Sequence, residues 1–326
     1  MSVPLLEVND LKKHYIKRAP MYGPAAVVYA VDGVSFAIAP GETLALVGES
    51  GCGKSTVGRS VLRLHDITAG QVVLNGQRID NLSARAMRPL RRHVQVVFQD
   101  SNTSLNPRMR VGDLIAEPMR NFAVAGSEVQ IERRVAVLLD HVRLARSLAQ
   151  RRPHQLSGGQ RQRVCIARAL AADPDLIVCD EAVSALDGFT RAQIIDLLKE
   201  IQRTLGLALL FISHDLAVVA TIAHRIAVMY LGKIVEIGDQ QQIFRSPKHP
   251  YTAALLSAVP VPDPDAARER IILKGDLPSV SHPPSGCRFH TRCPHAFDRC
   301  RIEEPLLLPI DADRSVACHL SGLSNA

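Results

Sequence analysis

Three short stretches of this sequence carry residue types suited to handling phosphate. The first is Gly48-Glu49-Ser50-Gly51-Cys52-Gly53-Lys54-Ser55, followed by Thr56. It fits the pattern of a glycine, four residues, then Gly-Lys-Ser. Glycines let the backbone curl so that successive N–H groups point inward and cradle an anion. A helix beginning at the lysine would aim the positive end of its dipole at the same point. Lys54 would reach the β- and γ-phosphates of a nucleoside triphosphate. The Ser55 hydroxyl would ligate Mg²⁺, an ion that prefers oxygen donors. Cys52 contributes only its backbone N–H.

The second stretch is Leu176-Ile177-Val178-Cys179-Asp180-Glu181, an apolar run ending in two carboxylates. Asp180 suits the surroundings of Mg²⁺, and Glu181 suits a general base that polarises an attacking water. The third is Leu156-Ser157-Gly158-Gly159-Gln160, ahead of a stretch rich in arginine and alanine. A serine with two glycines at a helix start is again an anion site. One nucleotide hardly needs two such sites in one chain, so the second is expected to face the nucleotide of another subunit.

These residues need a scaffold that holds them at strand ends. Thr43–Val47 reads as a strand buried on both faces, leading into the glycine loop and a helix from about Lys54 to Leu64. Val94–Phe98, Leu176–Cys179, Leu209–Ser213 and Arg225–Tyr230 read as further strands. Helices are expected near Gln160–Ala172, Thr190–Leu205 and Leu216–Ala223, with a helical region over 110–150 marked by Val135, Leu138, Leu139 and Val142. Strands alternating with helices give an α/β domain with a mainly parallel sheet. Residues 5–47 and 70–98 add short strands, with Asn75-Gly76 as a hairpin signal. From about residue 246, Pro247, Pro250, Pro260, Pro262, Pro264, Pro278, Pro283 and Pro284 interrupt regular structure. The expected division is a nucleotide-binding domain over 1–245, with its helical part at about 105–170, and a loop-rich extension over 246–326. So small a tail would need a staple.

Composition excludes some roles. Trp is absent and aromatics are 4% of the 326 residues, so base-stacking platforms for nucleic acid are not expected. The net charge of +7 is scattered, as on a solvated surface. No apolar run reaches the ~18 residues of a membrane span, and the first residues do not read as a secretory signal. The expectation is a cytosolic protein whose membrane association is peripheral.

The order of the three stretches resembles that of the ATP-binding subunits of ABC transporters over about residues 4–250. The resemblance implies a fold of three parts: a mainly parallel core, an antiparallel β subdomain and a helical subdomain. It implies roles residue by residue. Gln99 matches the glutamine that touches Mg²⁺ and couples to the membrane subunits. Ser184-Ala185-Leu186-Asp187 matches the loop that crosses the dimer interface, and Asp187 also suits a helix N-cap. His214 matches the switch histidine that contacts the γ-phosphate, and Tyr15 the aromatic that stacks on adenine. Ala182-Val183 departs from the Pro-Thr common after the paired acids, away from the catalytic atoms. Ser246-Pro247-Lys248-His249-Pro250-Tyr251-Thr252, Phe98-Gln99-Asp100-Ser101 and Ser104-Leu105-Asn106-Pro107 resemble the dipeptide and oligopeptide importers. That implies ATP and Mg²⁺ as ligands, two transmembrane permease subunits, and an extracytoplasmic solute-binding protein. It also implies a second ATPase subunit, with a heterodimer favoured, at the cytoplasmic face of the inner membrane. The rival reading, an ABC-type ATPase acting on nucleic acid or ribosomes, would call for long insertions or two fused ATPase domains.

Cys287, Cys293, Cys300 and Cys318 are separated by five, six and seventeen residues. These gaps do not match a zinc knuckle. Four thiolates suit a [4Fe–4S] cluster or a tetrahedral Zn²⁺, and free thiols are the third possibility. The resemblance to peptide-importer tails favours iron–sulfur. His290, His295 and His319 rank lower as ligands.

Overall fold

Thr43–Val47 is buried at all five positions, as a strand covered on both faces must be. A computed structural model, describing residues 3–17, 26–259 and 270–321, places it inside an eight-stranded sheet. In chain order the strands are β1 (Leu6–Lys17), β2 (Ala26–Ile38), β3 (Thr43–Val47), β4 (Ala69–Leu74), β5 (Gln77–Arg78) and β6 (Val94–Phe98). They continue as β7 (Leu176–Asp180), β8 (Ala208–Ile212), β9 (Arg225–Tyr230), β10 (Lys233–Asp239), β11 (Leu308–Asp311) and β12 (Arg314–Val316). The larger sheet runs β11-β12-β10-β9-β3-β8-β7-β6. Its portion from β9 to β6 is parallel. A smaller antiparallel sheet, β2-β1-β4-β5, holds the N-terminal strands.

Strand side chains alternate between faces, so each parallel strand feeds two cores. Ala45 and Val47 of β3, Ile177 and Cys179 of β7, and Leu209 and Phe211 of β8 join the core that reaches the helical subdomain. Leu44, Leu46, Leu176, Val178, Leu210 and Ile212 join the core shared with the smaller sheet. Burying a large aliphatic side chain contributes about 1.5–3 kcal/mol. This two-sided burial therefore fixes where the C-terminal ends of β3, β7 and β8 lie.

The helical stretch over 110–150 divides into Val111–Asn121, Glu128–His141 and a 3₁₀ turn at Arg146–Gln150. The break falls where Ala123 takes a positive φ of 51° and Ser127 caps the next helix by accepting from Gln130 N. β1 and β2 run longer than the short strands read from sequence. Their register shifts around Val8–Leu11, where the apolar alternation fails at Asn9-Asp10. Such a bulge carries the strand past a break in its pattern.

The tail is loop-rich, yet it joins the larger sheet. β12 pairs antiparallel with β10, Glu236 opposite Val316. Buried Glu236 accepts from Arg314 Nε (3.0 Å) and from the backbone N–H groups of Lys248 and His249 (3.0 Å each). Phe289 packs on Tyr230 and Tyr251 with centroids 5.3 and 5.4 Å away. Pro260, Pro262 and Pro264 lie outside the described residues.

Candidate nucleotide site

The phosphate loop leaves β3 and enters the helix Lys54–Val61. Its glycines are demanded by space as well as by φ. Gly53 sits at φ +109°, and a Cβ there would lie 2.0 Å from the Ala30 carbonyl oxygen. At Gly48 the same atom would lie 2.1 Å from the Met229 carbonyl oxygen. Lys54 is buried, and its ammonium donates to the carbonyls of Gly48 (2.8 Å) and Glu49 (2.9 Å). The lysine therefore lies across its own loop.

Two strand ends complete the centre. The Ser55 hydroxyl donates to Asp180 Oδ1 at 2.7 Å, joining the helix to the end of β7. Burial pushes the Asp180 carboxyl up from its ordinary range. Glu181 follows with φ +51°, a left-handed conformation rare outside glycine. It is held by its N–H to Ile212 O (3.0 Å) and by the Ser184 hydroxyl on its carbonyl (2.9 Å). Strain of this kind collects at functional positions. His214 follows β8, and its Nδ1 stands 3.3 Å from Glu181 Oε1. Asp215, next in sequence, caps the helix Leu216–Ile222 by accepting from Ala217 N and Val218 N.

A cavity of about 490 Å³ is lined by Lys54, Ser55, Thr56, Gln99 and Glu181 together with Ser50, Gly51, Gly53, Tyr15, Val28, Ala30 and Val280. That size suits a nucleotide-sized ligand. Gln99 enters from just beyond β6. Tyr15 pairs across β1–β2 with Val28 and meets His65 edge-on. An all-oxygen donor set of Ser55, Asp180 and Gln99 suits Mg²⁺.

Ser157–Gln160 and Asp187 do not line that cavity. Ser157 caps the helix Gly158–Leu170, exchanging bonds with Gln160: Gln160 N donates to Ser157 Oγ (3.3 Å) and Ser157 N to Gln160 Oε1 (3.0 Å). Asp187 caps the helix Gly188–Leu205 by accepting from Thr190 N at 2.9 Å, and that bond holds its carboxyl below the usual range. The two helices touch where a Cβ on Gly159 would meet Thr190 Cγ2 at 2.4 Å.

Three tail residues reach the loop, and none was read from sequence as part of the site. Val280, from the tail, lines the cavity, and its carbonyl accepts from Tyr29 N at 3.0 Å. Tyr251 Oη accepts from Glu49 N at 2.9 Å. Arg292 donates to both Glu49 carboxylate oxygens, at 2.8 and 3.2 Å.

The four tail cysteines lie close enough that the thiols of Cys293, Cys300 and Cys318 all act electrostatically on Cys287. Burial pushes Cys287 up to about 11 and raises Cys293 and Cys318. Cys287 N also donates to Cys300 O at 2.9 Å. Among the described residues no three His, Cys, Asp or Glu side chains are placed to hold a single metal ion. His290 and His319 each have one ring nitrogen on a backbone carbonyl, of Cys287 and Glu303.

Comparison with known proteins identifies the family. Residues 31–184 match the family model described as ABC transporter. Residues 235–300 match the model described as oligopeptide/dipeptide transporter, C-terminal region. A probable peptide ABC transporter ATP-binding protein of Sinorhizobium fredii is 52% identical, covering 98% of this chain and 91% of its own. A putative oligopeptide transport ATP-binding protein of Bacillus subtilis is 49% identical, covering 98% and 96%. A dimeric ATP-binding cassette, MJ0796, solved in a post-hydrolysis state with ADP and Pi, is 29% identical with a TM-score of 0.64, over 72% of this chain and 98% of its own. The cbiO1 protein of Clostridium perfringens, part of an ABC transporter complex, has a TM-score of 0.65 at 27% identity, covering 74% and 91%.

Fold and site together define an ABC-type ATPase, an enzyme that hydrolyses ATP to drive transport. This chain belongs to the ATP-binding subunits of ABC transporters, in the oligopeptide and dipeptide group. The reading as an ATPase acting on nucleic acid or ribosomes finds no support among these relatives. No described helix is long and apolar enough to cross a membrane.

Proposed function

We propose that this chain powers import of di- or oligopeptides, bound peripherally to the cytoplasmic face of the inner membrane. Two permease subunits form the path, and an extracytoplasmic binding protein delivers the solute. The observation that carries the paired arrangement is the absence of Ser157–Gln160 from the cavity lined by Lys54 and Glu181. Two ATPase subunits sandwich two ATP molecules head to tail, and Ser157–Gln160 and Asp187 of each face the nucleotide of the other. The partner is a related but different ATPase chain. This arrangement lets an anion-binding helix start that is idle in one chain complete the site of another.

In this reading the loop Gly48–Gly53 cradles the phosphates, Lys54 moves from its loop carbonyls onto the β- and γ-phosphates, and Tyr15 stacks on adenine. Ser55, Asp180 and Gln99 would hold Mg²⁺, and the ion would neutralise phosphate charge. Glu181 accepts a proton from the attacking water, and His214 orients that carboxylate and the γ-phosphate. Gln99 relays closure to the permease.

Residues 1–245 serve as the ATPase domain, about 105–170 of it as the helical subdomain, and 246–326 as the importer extension. Cys287, Cys293, Cys300 and Cys318 would hold a [4Fe–4S] cluster, which would serve as a structural staple. Supporting this are the electrostatic effects of the Cys293, Cys300 and Cys318 thiols on Cys287, in a tail whose four cysteines are the donor set that such clusters take.

Glu181→Gln tests the core of this proposal. In the assembled transporter it should trap ATP and abolish turnover. Near-wild-type hydrolysis would refute the role. Co-purification followed by mass spectrometry identifies the permease and the second ATPase.

A further inference from the structure

The phosphate loop is gripped from outside by the C-terminal tail, and the grip falls on one residue. Glu49 uses its backbone and side chain at once. Its carbonyl receives Lys54 Nζ at 2.9 Å. Its N–H is donated to Tyr251 Oη at 2.9 Å. Its carboxylate receives two nitrogens of Arg292, at 2.8 and 3.2 Å. The Arg292 side chain is 10% exposed and that of Glu49 28%. A two-pronged guanidinium–carboxylate pair of this burial fixes orientation as well as distance.

The gripping residues are themselves anchored. Tyr251 is fully buried against Tyr230, with centroids 4.7 Å apart, and against Phe289. Phe289 and Arg292 both lie between Cys287 and Cys293, on the segment that gathers the cysteines. Arg292 N donates to Phe289 O at 3.0 Å, so clamp and aromatic anchor move as one turn. A path of direct contacts thus runs from the cysteine segment to the carbonyl that Lys54 holds.

We infer that Arg292 is a positioning residue for the ATP site. By fixing Glu49 it sets the loop conformation that Lys54 needs to meet the phosphates, and it makes the cysteine-bearing tail a working part of that site. Arg292 touches no nucleotide in this scheme, so its effect is confined to ligands whose phosphates the loop must hold. The inference rests on the reading of Gly48–Ser55 as the ATP site.

The test is a double-mutant cycle on the full chain with its transporter partners. Arg292→Gln and Glu49→Gln remove the same pair from opposite sides, so misfolding of one variant leaves the other informative. Competition against a fluorescent ATP analogue measures ATP and AMP affinity. The expected result is an ATP affinity lowered roughly tenfold in each single variant, as for loss of a charge-assisted pair. The double variant should be no weaker than either single, and AMP affinity should stay within about twofold, because AMP lacks the β- and γ-phosphates. Additive losses, equal losses for ATP and AMP, or unchanged ATP affinity in both singles would overturn the inference. Lys54→Ala is the control: if it also leaves ATP binding intact, the reading of the loop itself has failed, not only the role of Arg292.

Discussion

His214 Nδ1 stands 3.3 Å from Glu181 Oε1, at the mouth of the strand ends β7 and β8. The contact places an imidazole where it can orient the carboxylate of a residue held in a left-handed backbone conformation. Removing the carboxylate's basicity while keeping its shape isolates the chemistry. Glu181→Gln should lower kcat by at least about 10²-fold, the usual contribution of a general base. ATP should stay bound, and a filter-binding assay for retained nucleotide checks it.

Asp180 gives a prediction with a sign set by burial. Its carboxyl is pushed up, so the folded state favours the protonated form more than the unfolded chain does. That relative stabilisation is fully present below the unfolded carboxyl pKa and is lost as pH rises through the folded value. At neutral pH the buried charge is therefore a cost to the nucleotide-free protein. Asp180→Asn should raise its melting temperature at pH 7 and lose that advantage on acidification, while abolishing Mg²⁺-dependent hydrolysis. Calorimetry across pH without nucleotide measures the first effect.

His249 gives the opposite slope. It is buried, its Nδ1 accepts from Tyr251 N at 3.1 Å, and burial lowers its pKa from 6.5 to about 3. The unfolded chain binds a proton between these values that the folded state refuses. Stability is thus intact above pH 6.5 and falls on acidification towards pH 3, by about 1.4 kcal/mol per pH unit at most. His249→Gln, which keeps an acceptor, should flatten that part of the stability–pH curve in denaturant titrations.

Val280 brings an apolar side chain into the cavity beside Tyr15 and Val28. Val280→Asp should raise the KM for ATP by roughly tenfold, near the lower end of what a misfitted apolar pocket costs. Its Tyr29 bond uses the backbone carbonyl and survives the change. Steady-state kinetics with kcat unchanged within about twofold would match a wall, not a catalyst.

The cysteine proposal turns on metal content. Anaerobically purified protein should be brown and contain iron and sulfide. Cys300→Ser should lose both and melt about 5 °C lower, as for loss of a staple. A colourless wild-type preparation with no iron or zinc by elemental analysis would sink the idea.

The parts of the site that could be read from sequence are local ones. Gly48–Ser55, Asp180-Glu181 and Ser157–Gln160 each state their chemistry within a few residues, because the groups that would meet a phosphate or Mg²⁺ are adjacent in sequence. Helix boundaries over 110–150 were coarser, since only Ser127's cap and the positive φ of Ala123 divide that region. Arg292 and Val280 were silent. Their partners Glu49 and Tyr29 lie more than two hundred residues away, and no periodicity connects them. The pairing of β12 with β10 was hidden for the same reason: a three-residue strand carries almost no pattern.

That last pairing has a consequence for how the protein is made. During synthesis β10 emerges and folds onto β9 while residues 240–313 have yet to appear. Until Arg314 arrives, β10 is an open edge, and the buried carboxylate of Glu236 has no cationic partner there. Open edges template wrong pairings. The nascent ATPase thus carries a sticky seam, which the tail seals once β12 pairs with β10.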